Sequence, residues 1–139
     1  MRSSDWKTRL RAEHIGTVEG LALYRVERGV YVQEVRGHLT AALMERSLRV
    51  AWDRPDFSTP YGVVHVIDAG ITYDPDIREF PDRPGIIAAA ASVVVTENAL
   101  LRMVVAAIGI ASRIKRGTRV SAYDDVLEAV EAVRALLAA

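Results

Sequence analysis

Val63-Val64-His65-Val66-Ile67 is the stretch on which the fold turns. Four apolar residues in a run of five, followed by the polar turn Asp68-Ala69-Gly70, mark a strand covered on both faces rather than one that alternates between core and solvent. Downstream, Ala89-Ala90-Ala91-Ser92-Val93-Val94-Val95 repeats the pattern and predicts a second buried strand. Arg119 to Ala122 supplies a last short one. Buried strands of this kind belong to parallel sheets, which need helical crossovers between them.

The intervening segments have helical character. Thr40 stands as an N-cap, and Met44, Leu48, Ala51 and Trp52 follow on one apolar stripe. Pro55 ends that helix by Arg54. Asp74 to Gly85 contains Pro75, Pro81 and Pro84, so any helix there is short. Thr96 or Asn98 caps a helix from Ala99 to Ile114, with Arg113, Lys115 and Arg116 complementing its C-terminal dipole and Gly117 ending it. Ser121-x-x-Asp124 resembles a capping box for a final helix striped by Val126, Leu127, Val130, Val133 and Leu137.

Upstream, Leu21–Val26 and Val30–Val35 flank Glu27-Arg28-Gly29 and read as a β-hairpin, with His14 to Val18 as a short edge strand. Residues 1–11 form a polar tail or a short capping segment, leaving 12–139 as one domain. The order predicts an α/β fold: a mixed, mostly parallel sheet with an N-terminal antiparallel hairpin and about four helices.

Composition narrows the function classes. The 139 residues are half hydrophobic but only 6% aromatic, so the core is aliphatic. Absence of cysteine removes disulfides, thiol catalysis and thiolate metal sites, and fits a reducing compartment. Eighteen basic residues balance eighteen acidic ones, without the basic excess a nucleic-acid binder uses to neutralise phosphates. The N-terminus has no signal-peptide h-region, and the Ala99–Ile114 stretch is too short and too interrupted by Arg102 and Arg113 to span a bilayer. A soluble, cytoplasmic protein is the expectation.

Three stretches together resemble the STAS/SpoIIAA-like superfamily, in particular its small bacterial STAS/SEC14-like members. Tyr31 to Thr40 looks like the family's strand ending in G-x-L-T before the first helix. Val64 to Tyr73 is similar to its apolar strand, Asp and G-V-T-F-like turn. Ala91 to Leu101 with Val120 to Leu136 matches the closing strand, helix, strand and helix. The resemblance covers about residues 20–137 and implies a non-enzymatic regulatory or protein-interaction module. In the superfamily's anti-sigma-factor antagonists, a Ser or Thr after the central strand is phosphorylated and the added charge breaks the partner interface. Here the matching turn reads Tyr73-Asp74-Pro75-Asp76, with acids and a proline where the hydroxyl belongs. Thr72 and Ser92 do not match that position, and a permanently acidic turn would imitate the modified state.

Candidate sites follow from these placements. Ligands of open α/β sheets bind outside the carboxyl ends of the strands, where Asp68, Thr72, Tyr73, Asp74 and Asp76 lie with Thr96, Glu97 and Asn98. These eight residues, with the outer face of the 99–114 helix, form the expected docking surface for a protein partner. The competing reading has Asp68 capping its own turn, with Asp74 and Asp76 solvated. No D-x-D-x-D-G loop calls for a metal. The 99–114 helix is apolar beyond one stripe, which fits a helix wedged between the sheet and a neighbour, a homodimer or partner surface, or an apolar groove. Leu101, Met103, Val104 and Ile108 would line that groove, and a SEC14-like comparison implies carriage of an apolar small molecule or lipid as the alternative function. Arg78, Arg83, Arg113, Lys115 and Arg116 read as helix-end and solvated cations.

No catalytic site is legible. His14, His38 and His65 are far apart, and His65, alternating with valines, reads as a hydrogen-bonded core or sheet-face residue. Neither a G-x-S-x-G elbow nor a nucleotide cradle occurs, and no cofactor is expected.

Overall fold

The computed structural model describes residues 5–98 and 119–139. Its strands are β1 (Glu13–Val18), β2 (Leu21–Glu27), β3 (Val30–Val35), β4 (His38–Leu39), β5 (Gly62–Ile67), β6 (Thr72–Tyr73), β7 (Ala91–Val95) and β8 (Arg119–Tyr123). Among the described residues the helices are α1 (Trp6–Arg9), α2 (Ala41–Trp52), a 3₁₀ helix (Pro75–Asp82) and α3 (Val126–Ala138). Six strands form one sheet in the order β1-β2-β3-β5-β7-β8, and β4 pairs with β6 apart from it. The two pairings among β1, β2 and β3 are antiparallel and the remaining three are parallel. The fold is therefore α/β with a mixed sheet, an antiparallel hairpin leading into parallel strands, as the sequence predicts.

The near-continuous apolar strands have the cause expected of them. Tyr31, Val35 and Val63 face a layer formed by α2 through Leu43, Met44, Leu48, Ala51 and Trp52, with Ile77 and Phe80 of the 3₁₀ helix at its margin. Val30, Val32, Val64, Val93 and Val95 face the opposite layer, where α3 contributes Val126, Ala129, Val130 and Val133. Each fully buried valine contributes about 1.5–3 kcal/mol of transfer free energy. Trp6 of α1 is buried in this second layer, edge-on to Tyr24 with ring centroids 5.3 Å apart. Part of the segment read as a polar tail or cap thus closes one end of the core.

Caps decide the helix boundaries. Thr40 Oγ1 accepts the Leu43 N–H at 3.1 Å, as its position before α2 predicts. The expected Ser121-x-x-Asp124 box does not form. Residues 119–123 are committed to the parallel ladder, where Ser121 pairs with Val93. The cap falls four residues beyond Ser121, at Asp125, which accepts the Glu128 N–H at 3.2 Å. Strand pairing outweighs a local cap worth about 1 kcal/mol. The expected helix from Ala99 to Ile114 and its terminal Arg113, Lys115, Arg116 and Gly117 lie outside the described residues.

Gly62 lets α3 approach the start of β5. A Cβ there would lie 2.4 Å from Val133 Cγ1 and 3.3 Å from the Ala91 carbonyl oxygen. We expect Gly62→Ala to lower the unfolding free energy by about 1–3 kcal/mol through overpacking. Adding Val133→Ala should recover part of that loss in urea denaturation.

Candidate functional site

Among the described residues, two gatherings of polar side chains contain residues that the sequence singles out. The first is the carboxyl edge of the parallel strands. Asp68 N–H donates to the Val35 carbonyl at 3.0 Å, and the turn closes with Ile71 N–H on the Asp68 carbonyl at 3.1 Å. The chain then returns beside β4. Thr72 N–H donates to Gly37 at 3.0 Å and Asp74 N–H to Leu39 at 2.8 Å, giving the parallel β4–β6 pair. His38 Nδ1 and Thr72 Oγ1 lie 2.8 Å apart across it. Tyr73 projects from this pair with 47% of its surface exposed, unlike any other large hydrophobic residue described.

The acids of this edge divide their work differently from the sequence reading. Asp74 is not simply solvated, because it caps the 3₁₀ helix by accepting the Asp76 N–H at 3.0 Å. Asp76 Oδ1 accepts the Ala41 N–H at 3.1 Å, satisfying one of the orphan donors at the start of α2 from 35 residues away. The exposed acid is Asp68, whose side chain serves no such cap. Glu45 of α2 reinforces the junction. Its carboxylate accepts from Arg83 at 2.8 Å and from Arg49 at 2.9 Å, and these two guanidiniums hold it below the usual carboxylate range. Of the loop Thr96-Glu97-Asn98, Glu97 is exposed, but Thr96 is buried and its hydroxyl accepts the Asn98 N–H at 3.2 Å. Among the described residues no three His, Asp or Glu side chains converge as a metal site.

The second place is the sheet face under α2, where sequence reasoning found one residue of four. Gln33 of β3 and His65 of β5 are register partners on the sheet face that α2 covers. Gln33 Oε1 lies 2.7 Å from His65 Nδ1, and His65 Nε2 lies 3.0 Å from Ser92 Oγ on β7. On the other side Gln33 Nε2 donates to Ser47 Oγ of α2 at 2.8 Å. Gln33 and Ser47 are fully buried, while His65 and Ser92 are partly buried. His65 is thus a hydrogen-bonded sheet-face histidine. The missed partners carried one signal: Gln33 alternates with Tyr31 and Val35 as His65 does with Val63 and Ile67.

Ser92, His65 and Gln33 have the connectivity of a nucleophile, base and orienting group. The electrostatics oppose that use. A neutral amide stands where a carboxylate would stabilise imidazolium, and burial pushes His65 down to about 4. Taking a proton from the Ser92 hydroxyl would create a cation that this layer destabilises, far from a base poised near neutral pH.

Leu101, Met103, Val104 and Ile108, the expected lining of an apolar groove, lie outside the described residues. Among the described residues no helix is long and apolar enough to cross a membrane. No family model, curated protein or solved structure matches the chain.

The position of His65 has a measurable consequence. Its folded pKa of about 4 lies below the ordinary 6.5, so the unfolded chain binds a proton first as the pH falls. The stability from a neutral His65 is fully present above pH 6.5 and is lost toward pH 4, by at most about 3 kcal/mol. Urea unfolding at several pH values should show this loss, and His65→Gln should remove that part of the slope. Glu45 and Asp56, both held below their ordinary values by arginines, add their own losses through the carboxylate range in both proteins.

Proposed function

We propose that the chain is a non-enzymatic, regulatory protein-interaction module of the STAS/SpoIIAA-like type, docking its partner at the carboxyl edge of the sheet. The observation that carries this reading is the exposure of Tyr73 on the β4–β6 pair, beside Thr72 and His38. A tyrosine offers large contact area at low entropic cost, and aromatic side chains anchor interfaces out of proportion to their number. Asp68 adds an exposed carboxylate to the same edge and suits a partner with a basic group there. The neutral environment of His65 supports binding over hydrolysis, because the most catalysis-like cluster described lacks a competent base.

Capping roles determine which variants are informative. Charge reversal at Asp74 or Asp76 would release backbone donors of the 3₁₀ helix and α2, and would confuse docking with folding. Tyr73 and Asp68 avoid that. A photoreactive residue replacing Tyr73 should yield a defined cross-linked adduct in cells, whereas one replacing Ala135 on α3 should not. The adduct's mass distinguishes a second copy of the chain from another protein. With the captured partner purified, Tyr73→Ala should weaken binding about tenfold or more, and Asp68→Arg should slow association. Equal cross-linking at both positions, or unchanged affinity in both variants, would remove the edge from consideration.

A further inference from the structure

The chain Ser47–Gln33–His65–Ser92 has three gaps, of 2.8, 2.7 and 3.0 Å, and each is bridged by one proton. Its two inner members restrict where those protons can be. The Gln33 amide has one donor end and one acceptor end, and a half-turn exchanges them with little change in shape. A neutral imidazole likewise has one N–H and one lone pair. At the Gln33–His65 gap, therefore, the amide oxygen meets Nδ1–H or the amide nitrogen meets the Nδ1 lone pair. Every other pairing sets donor against donor or acceptor against acceptor.

The two serines must follow. In the first order, Ser92 gives its proton to His65 Nε2, Nδ1–H donates to Gln33 Oε1, and Gln33 Nε2–H donates to Ser47 Oγ. Ser47 keeps its own proton, and Ser92 has only lone pairs left to offer. In the second order every proton points the other way, so Ser47 spends its hydrogen on Gln33 and Ser92 accepts from Nε2–H. Both orders fill the same three gaps. The Gln33 amide has its Nε2 on the buried Ser47 and its Oε1 on His65, which is the orientation of the first order.

We propose that this chain is a two-state hydrogen-bond relay coupling the partly buried Ser92 on β7 to the buried Ser47 in α2, with its resting order running from Ser92 to Ser47. A hydrogen-bond donor arriving at Ser92 reinforces the resting order. An acceptor there favours the reverse, in which the Ser47 proton is donated to the Gln33 amide oxygen. The relay stands apart from docking at Tyr73 and shares no residue with it.

The imidazole nitrogens of His65 report the order directly. In ¹⁵N spectra of the full chain at neutral pH, with the His65 signals identified by their loss in His65→Gln, wild type should show predominantly the Nδ1–H tautomer. Ser47→Ala deprives the Gln33 Nε2–H of its buried acceptor. An orphaned N–H is tolerated less than an under-used carbonyl oxygen, so His65 should move predominantly to the Nε2–H tautomer without being touched. Ser92→Ala leaves only a lone pair unpaired in the resting order and should stay Nδ1–H. A wild-type spectrum dominated by Nε2–H, or an equal mixture, overturns the resting order. An Nδ1–H spectrum in Ser47→Ala overturns the coupling. The wild-type measurement keeps the proposal refutable should Ser47→Ala fail to fold.

Discussion

Parallel pairing of β5 between β3 and β7 is the constraint on which the remaining structure depends. A strand in that position has no solvent face. Val63 faces the α2 layer and Val64 the α3 layer, so helices are required on both sides of the sheet. The chain must also return to the same end of the sheet after each parallel strand. That return carries α2 across between β3 and β5, and it brings the turn after β5 beside the start of α2. The β4–β6 pair, the capping role of Asp76 and the exposure of Tyr73 all follow from this return.

The same central position explains why Ser47, Gln33, His65 and Ser92 are joined end to end. A buried amide or imidazole left without partners costs more than a satisfied one contributes. Gln33 and His65 are neighbours by register, while Ser47 and Ser92 provide the terminal partners from the elements on either side. All four side chains are neutral, which suits a layer where an ion would pay a heavy desolvation cost. Neutrality also separates this cluster from a catalytic triad of similar connectivity, since the lowered basicity of His65 comes from the burial that makes the chain of hydrogen bonds necessary.

Legibility differed between backbone and side chains. Thr40 was readable because an N-cap acts over three residues, and the strands were readable because their apolar runs have few other uses. Ser121 misled because a local capping pattern competed with a parallel ladder whose partner, Val93, lies far away in sequence. The acidic turn was found but its division of labour was not. Asp76 serves Ala41, 35 residues away, and no spacing rule reaches across that separation. Gln33 and Ser47 carry no local signal of their partnership with His65 for the same reason, and Ser92 is legible only as a hydroxyl off the phosphorylation position until β3, β5, β7 and α2 are brought together.

The amino-acid sequence by itself determined the α/β class, the hairpin leading into parallel strands and the aliphatic core, because those depend on periodicity and local chain chemistry. It also placed Asp68, Thr72 and Tyr73 after the central strand, where an open sheet presents its carboxyl edge. Only the tertiary structure decided that Asp74 and Asp76 serve as caps, that Thr96 is buried, that Tyr73 is exposed and that His65 is tied to three other elements' side chains, directly or through Gln33. The physical reason is the range of the forces involved. Hydrophobic patterning acts on every few residues and is written along the chain. A hydrogen bond acts over about 3 Å, and its partner is known only once folding has brought distant residues within that reach.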